Sequence, residues 1–156
     1  METVMGLKEN GLVRHVACST HDRSLAAGLL KDSPFEFLMI RYNAANRGAE
    51  EQIFPFVNAE NHVIVNFTAT RWGQLLKRPS DWPADKYRPT AVDCYRFVLS
   101  RPEVNICLTG AKNRKELEDN VAALVSGPMA EDELDRVREF GDFVYQTRNH
   151  IMEAPV

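Results

Sequence analysis

The chain has 156 residues, of which 44% are hydrophobic and 26% are charged. This composition is typical of a globular domain rather than a disordered or fibrous chain, and the length predicts a single domain over residues 1–156. The net charge of −3 argues against nucleic acid as a partner, and no apolar run reaches the ~20 residues that a membrane span needs.

Strands and helices are predicted to alternate along the chain. Short apolar runs predict strands at residues 12–18, 35–40, 62–67 and 104–109. Helical spacing of apolar residues predicts helices at residues 22–31, just before Pro55, and at 89–100, 113–125 and 131–147. The resulting order, β-α-β-α-β-α-β-α-α, favours an α/β fold with a parallel sheet.

Local signals fix several of the predicted boundaries. Ser33 and Pro34 are expected to end the first of these helices, because the residue before a proline avoids the helical region. Pro89 suits the first position of a helix. Asn113 and Glu116 have the spacing of a capping box.

Two architectures fit four parallel β/α units. One is an open doubly wound sheet, and the other is half of a (β/α)8 TIM barrel, whose complete form typically has ~250 residues. Four strands cannot close a barrel alone, because a small barrel needs about eight. A half-barrel would leave two bare sheet edges, which predicts a second half-barrel as a partner, either another copy or a separate N-terminal half.

Polar residues follow all four predicted strands. Because the carboxyl ends of parallel strands meet at one rim, where ligands bind, the side chains after the strands are expected to lie together. They are Ser19, Thr20 and His21; Arg41, Tyr42 and Asn43; Phe67, Thr68, Thr70, Arg71, Trp72 and Gly73; and Thr109, Gly110, Lys112, Asn113 and Arg114. Hydroxyl, amide, cationic and aromatic groups suit a ligand with a phosphate and a planar ring.

Each of these features also has a purely structural interpretation. Ser19 and Thr20 fit helix N-caps, Arg71 and Trp72 fit a surface cation–π pair, and Lys112 fits a solvated helix start. Cys18, Cys94 and Cys107 are widely spaced and odd in number, which predicts reduced thiols and no zinc site. The first residues show no secretory signal, so we expect a cytoplasmic protein.

Five segments resemble the aldo/keto reductase family, in order and in spacing. They are Gly11–Ser19, Arg41–Arg47, Phe67–Leu76, Asp93–Ser100 and Thr109–Asn120. They are similar to the fifth strand, the region after the sixth strand, the seventh strand, the helix before the eighth strand, and the eighth-strand motif of that family. The resemblance implies the C-terminal half of a (β/α)8 barrel that reduces aldehydes or ketones with NADPH.

The resemblance also implies roles for individual residues. Ser19 and Thr20 correspond to carboxamide contacts, Phe67 to the ring that stacks on the nicotinamide, and Thr68, Thr70 and Gly73 to the pyrophosphate loop. Gly110 allows close backbone approach. Lys112, Asn113, Asp119 and Asn120 correspond to the adenosine-phosphate end.

Three departures from the family pattern affect these expectations. Phe67 lacks the hydroxyl of the usual tyrosine, and Met39 aligns near a common glutamine. Glu116 stands where some members have an arginine for the 2′-phosphate, so NADP is expected with NAD left open.

The family's catalytic Asp, Tyr, Lys and His come from earlier strands, and no local set replaces them. Because proton donation to a carbonyl needs a positioned acid, the isolated chain is expected to be inactive or very weak. Three hypotheses follow: the cofactor-side half of a reductase, a non-catalytic nucleotide-binding half-barrel that self-associates, or a truncated product without function.

Overall fold

Four strands form one parallel sheet in a computed structural model that describes residues 2–32 and 35–152. The strands are β1 (Ala17–Thr20), β2 (Phe37–Arg41), β3 (Val63–Phe67) and β4 (Val104–Cys107). The helices are α1 (Glu2–Glu9), α2 (Arg23–Asp32), α3 (Ala49–Gln52), α4 (Ala91–Leu99), α5 (Arg114–Ser126) and α6 (Glu131–Met152). Single turns of 3-10 helix lie at Phe54–Phe56 and Gln74–Leu76. Ser33 and Pro34 lie outside the described residues.

The spatial order of the strands is the same as their order in the chain, β1-β2-β3-β4. A doubly wound sheet reverses its strand order at a switch point, whereas a barrel adds each strand beside the previous one. The predicted half of a (β/α)8 barrel is therefore confirmed. β1 and β4 each pair with one strand only among the described residues, so both edges of the arc are open.

The hydrophobic core lies between the sheet and the helices. Leu38, Ile40 and Ile64 point to this side and are almost completely buried. Tyr42 continues the core beyond the end of β2, where its ring stacks on Phe97 of α4 at 5.7 Å between centroids. The side chains that alternate with these along each strand face the other side of the sheet, which is the barrel interior. The four strands form half of such a barrel.

α6 is packed unusually closely against the loop that follows β2. A Cβ atom on Gly141 would lie 2.3 Å from the carbonyl oxygen of Ala44, so this position accepts glycine alone without moving the helix. The ring of Trp82 packs edge-on against Phe140 and Phe143 of the same helix. The long segment between β3 and α4 therefore contributes a buried tryptophan to the core.

Two predicted boundaries are wrong, each for a local reason. The first strand begins at Ala17 and not at Leu12, because the amides of Leu12 and Val13 both donate to the carbonyl of Leu7 and close the end of α1. Pro89 lies outside α4. Thr90 is the N-cap, and it forms a complete capping box with Asp93.

Other predicted boundaries hold more closely. α2, β2 and β3 match their predicted positions to within two residues, whereas α6 ends at Met152 and not at the predicted residue 147. The three cysteines are free thiols, with Cys94 buried and the other two half-buried. No helix within the described ranges is both long and apolar enough to cross a membrane.

Candidate functional site

The carboxyl ends of the four strands form a shared rim, as the sequence predicts. Arg41 and Phe67 are register partners at the ends of β2 and β3. The ring of His21, which follows β1, lies edge-on against Phe67 with 5.2 Å between centroids. This contact joins the tips of the first and third strands and leaves Phe67 only partly buried.

The end of β1 carries small polar groups. Ser19 is exposed and lies in register with Met39 on the barrel-interior side. Thr20 accepts a hydrogen bond from the amide of Asp22 through Oγ1, at 3.0 Å. The cap of the following helix is Asp22 and not one of the two predicted residues, because Asp22 Oδ1 accepts from the amides of Ser24 and Leu25. Ser19 is therefore not used as a helix cap.

Two of the residues expected at the rim are buried beneath it. Tyr42 and Asn43 have no exposed surface. The Tyr42 hydroxyl donates to Glu50 at 2.6 Å, and burial raises its pKa far above the ordinary value. Asn43 Nδ2 donates to the carbonyl of Thr68 at 3.0 Å, while its Oδ1 accepts from the amides of Ala45 and Asn46. Asn43 thus ties together the loops that follow β2 and β3.

The loop after β3 has an unusual backbone. Thr68, Arg71 and Trp72 have φ values of 63°, 50° and 52°, and Gly73 follows at 77°. Positive φ is uncommon for residues other than glycine and clusters at functional sites. Thr70 Oγ1 accepts from the amide of Gly73 at 3.2 Å and closes the turn. The three residues predicted for the pyrophosphate loop, Thr68, Thr70 and Gly73, therefore belong to one tight turn.

Arg71 does not form the surface pair with Trp72 that the sequence suggests. Its side chain is buried, and Nη1 donates to the carbonyl of Val144 in α6 at 3.1 Å. The guanidinium also lies over the ring of Tyr145, 6.0 Å from the centroid. Arg71 therefore fastens the loop from below, while the ring of Trp72 remains 67% exposed at the rim.

An open cleft of about 380 Å³ lies between this loop and the start of α5. Five of the predicted site residues line it: Thr70, Gly73, Gly110, Lys112 and Asn120. Trp72, Tyr95 and Glu116 complete its polar and aromatic walls. The sequence did not single out Tyr95, because the helical spacing only assigns it to an apolar face.

The start of α5 provides backbone amides and mixed charge at one end of the cleft. Asn113 is the N-cap, and its Oδ1 accepts from the amide of Glu116 at 2.9 Å. Glu116 turns its own carboxylate to the amide of Lys112 at 2.8 Å instead of completing the capping box. A helix N-terminus with a neighbouring lysine is a favourable position for phosphate.

The remaining charged groups of α5 point away from the cleft. Arg114 pairs with Glu118, and Asp119 pairs with Lys115, both at 2.7 Å and both exposed. Asp119 is thus not among the residues that the structure brings to the cleft. Lys112 is the cation that lines it.

A short hydrogen-bond chain supports the floor of the cleft. Asn120 Nδ2 donates to Thr109 Oγ1 at 2.5 Å, and Thr109 Oγ1 in turn bonds Tyr95 Oη at 3.1 Å. Burial raises the pKa of Tyr95, so its hydroxyl stays protonated at neutral pH. The described residues hold no cluster of His, Cys, Asp or Glu that fits a metal ion.

Comparison with known proteins agrees with this architecture. The model of the aldo/keto reductase family matches residues 1–142. No curated protein matches the chain significantly. The aldo-keto reductase AKR11C1 from Bacillus halodurans is 22% identical in its holo form and superposes with a TM-score of 0.72, covering 89% of this chain and 54% of its own. Its apo form gives a TM-score of 0.71 at 22% identity, covering 89% of this chain and 55% of its own.

A glycerol dehydrogenase, AKR11B4 from Gluconobacter oxydans, is also similar. It is 18% identical with a TM-score of 0.65, and the match covers 98% of this chain and 54% of that chain. The chain therefore spans about half the length of the solved structures that it resembles.

Proposed function

Because the chain belongs to the aldo/keto reductase family, we propose that it is the cofactor-binding half of an NADPH-dependent reductase of aldehydes or ketones. In this proposal the chain holds the dinucleotide, and a complementary half supplies the proton donor. Free cysteines suit a reducing compartment such as the cytoplasm.

The observation that carries the proposal is the cleft beside the N-terminus of α5. It combines a tight turn at Thr70–Gly73, a close-approach position at Gly110 and the ammonium of Lys112. These are the groups that a pyrophosphate or ribose phosphate needs. Phe67 lies along the same rim as a partly exposed ring, which suits stacking against a planar nicotinamide.

Among the described residues, none at the rim is a suitably placed acid for a carbonyl substrate. His21 packs edge-on against Phe67, and the Tyr95 hydroxyl is engaged by Thr109. General acid catalysis requires a donor with an adjusted pKa within hydrogen-bond reach of the carbonyl oxygen. We therefore expect the chain alone to bind the cofactor and not to turn over.

NADP is proposed over NAD because Lys112 lines the cleft as a cation without an ion-pair partner among the described side chains. Arg114, the other candidate for a 2′-phosphate, is occupied by Glu118. Glu116 opposes this preference, since its carboxylate lines the same cleft. The balance between Lys112 and Glu116 thus determines the choice of cofactor.

Titration of the purified chain with NADPH tests the proposal. The exposed indole of Trp72 lines the cleft, so its fluorescence is expected to change with saturation. Lys112→Ala should weaken binding roughly tenfold, since a charge-assisted contact to phosphate contributes about 1.5 kcal/mol or more. Lys115→Ala removes an equivalent charge from the exposed face of α5 and serves as the matched control.

Failure to saturate at millimolar NADPH would contradict the proposal, as would equal effects of the two lysine variants. Carbonyl-dependent oxidation of NADPH by the chain alone would show that the chain itself contains a general acid that protonates the carbonyl oxygen. Saturable binding that never leads to turnover, even with a complementary half, would instead support the non-catalytic nucleotide-binding module.

A further inference from the structure

One wall of the cleft carries a buried hydroxyl group that has no role in the proposed function as stated. Tyr95 of α4 is only 9% exposed, and it lines the cleft together with Asn120 of α5. The same two residues also line a mainly apolar groove of about 270 Å³ between β4 and α5. Tyr95 and Asn120 therefore form the wall that separates the cleft from this groove.

The hydrogen bonds in this wall run in one direction. Asn120 Nδ2 donates to Thr109 Oγ1, and the Thr109 hydroxyl donates to Tyr95 Oη at 3.1 Å. Since Tyr95 Oη is an acceptor in this bond, its own proton remains available as a donor. No atom of the described residues accepts that proton. Because a buried hydroxyl donor is costly to leave unpaired, the chain of bonds points to an acceptor that a ligand supplies.

The cleft is the side of the wall on which such an acceptor fits. The groove is lined mainly by apolar side chains, whereas the cleft also carries the Thr70 hydroxyl and the Lys112 ammonium. Burial raises the pKa of the Tyr95 hydroxyl, so at neutral pH it is an uncharged hydrogen-bond donor and not a general acid.

The position of this wall along α5 indicates which part of the ligand it meets. Phosphate is favoured at the start of α5, where Asn113 is the N-cap. At about 1.5 Å per residue, Asn120 lies roughly 10 Å further along the helix. A group held beside Tyr95 and Asn120 is therefore beyond the reach of the phosphate that the helix start binds, and it belongs to the nucleoside part of the ligand.

We propose that Tyr95 is a ligand-binding residue, whose hydroxyl donates a hydrogen bond to an uncharged oxygen or nitrogen of the adenosine part of the dinucleotide. Thr109 lies behind the wall, among the residues of the groove, and it is a positioning residue that acts through Tyr95. The inference rests on the proposed function and adds to it a determinant of nucleoside recognition on α4.

Titration calorimetry of the full chain with three probes tests this inference. The probes are NADPH, adenosine 2′,5′-bisphosphate and inorganic pyrophosphate. Tyr95→Phe should weaken the binding of the first two by the same factor, about three- to tenfold, because one hydrogen bond to the shared adenosine is lost. It should leave pyrophosphate binding unchanged. Tyr145→Phe removes a hydroxyl from an exposed ring of α6 and should change none of the three.

Two variants of Thr109 test the positioning role. Thr109→Val removes the hydroxyl that bonds Tyr95 Oη and should weaken NADPH binding by about the same factor as Tyr95→Phe. Thr109→Ser keeps that hydroxyl and should restore the affinity. The double variant Tyr95→Phe/Thr109→Val should bind hardly more weakly than either single variant, because both changes break the same interaction. Circular dichroism confirms that each variant is folded.

The outcomes separate this inference from the proposed function. If the unmodified chain binds NADPH and Tyr95→Phe binds it equally well, the inference is wrong and the proposed function stands. If Tyr95→Phe loses affinity for pyrophosphate by the same factor as for NADPH, the hydroxyl supports the cleft as a whole and does not contact adenosine. If Thr109→Ser binds as weakly as Thr109→Val, Thr109 does not position Tyr95. An unmodified chain that binds none of the three probes would overturn the proposed function as well.

Discussion

Asn43→Ala is the substitution for which the structure gives the most definite expectation. The side chain is completely buried and makes three hydrogen bonds, to the carbonyl of Thr68 and to the amides of Ala45 and Asn46. Two of these partners keep another bond, since Thr68 O also accepts from Arg71 N and Asn46 N also donates to Asn43 O. Only the buried amide of Ala45 loses the sole hydrogen bond shown for it.

The expected loss follows from this count. An orphaned buried donor costs about 1–3 kcal/mol, and each hydrogen bond that is lost with its partner still satisfied contributes about 0.5–1.5 kcal/mol. We therefore expect the free energy of unfolding of Asn43→Ala to fall by about 2–6 kcal/mol, the sum of one orphaned donor and two such bonds. Dinucleotide binding should weaken as well, because Asn43 holds the carbonyl of the left-handed Thr68 in place.

Urea unfolding followed by circular dichroism measures this loss, provided that the slope of the transition is unchanged. Asn61→Ala is the matched control, because Asn61 is exposed and surface changes of this kind usually stay within ±0.5 kcal/mol. A loss of less than about 1 kcal/mol for Asn43→Ala would refute the reasoning. It would mean that the two rim loops hold their conformation without the amide.

Three further predictions concern cofactor choice, acid stability and thiol reactivity. Glu116→Gln should tighten NADPH binding several-fold and NADH binding hardly at all, because only the 2′-phosphate is repelled by the carboxylate; equal changes in the two dissociation constants would contradict this. The pKa of Glu133 is lowered from 4.5 to about 2 by its hydrogen bond to Arg96 and by an amide, so its stabilising effect is complete above pH 4.5 and is lost as the pH falls towards 2; urea midpoints measured from pH 6 to 2.5 should fall less steeply for Glu133→Gln. Burial raises the pKa of Cys107 to about 12, so at pH 8 a disulfide reagent should modify Cys18 first, and mass spectrometry of the first adduct identifies the site.

The architecture was accessible from the sequence because it depends on patterns that repeat. Continuous apolar runs such as Phe37–Ile40 predict strands covered on both faces, and their alternation with helices predicts a parallel sheet. The first strand was misplaced because Leu12 and Val13 have strand-like composition, but their amides close a helix end. Local composition does not show to which carbonyl oxygen a backbone amide will donate its hydrogen bond.

The candidate site was predictable in position and less so in detail. The rule that ligand groups follow parallel strands correctly brought Thr70, Gly110 and Lys112 to one cleft. It did not separate residues that line the cleft from residues that hold the loops, so Asn43 and Arg71 were expected at the rim and are buried. That distinction depends on backbone direction after each strand, and three left-handed residues in one loop give no signal in the sequence.

The glycine at position 141 of α6 couples this helix to loops that are distant from it in the chain. Because Gly141 allows α6 to approach Ala44, the carbonyl of Val144 comes within reach of Arg71. A methyl group at position 141 would force the helix outward, and the loop that follows β3 would lose its anchor without any change in its own residues. Substitutions or cuts near the carboxyl terminus should therefore appear in a screen as defects in nucleotide affinity.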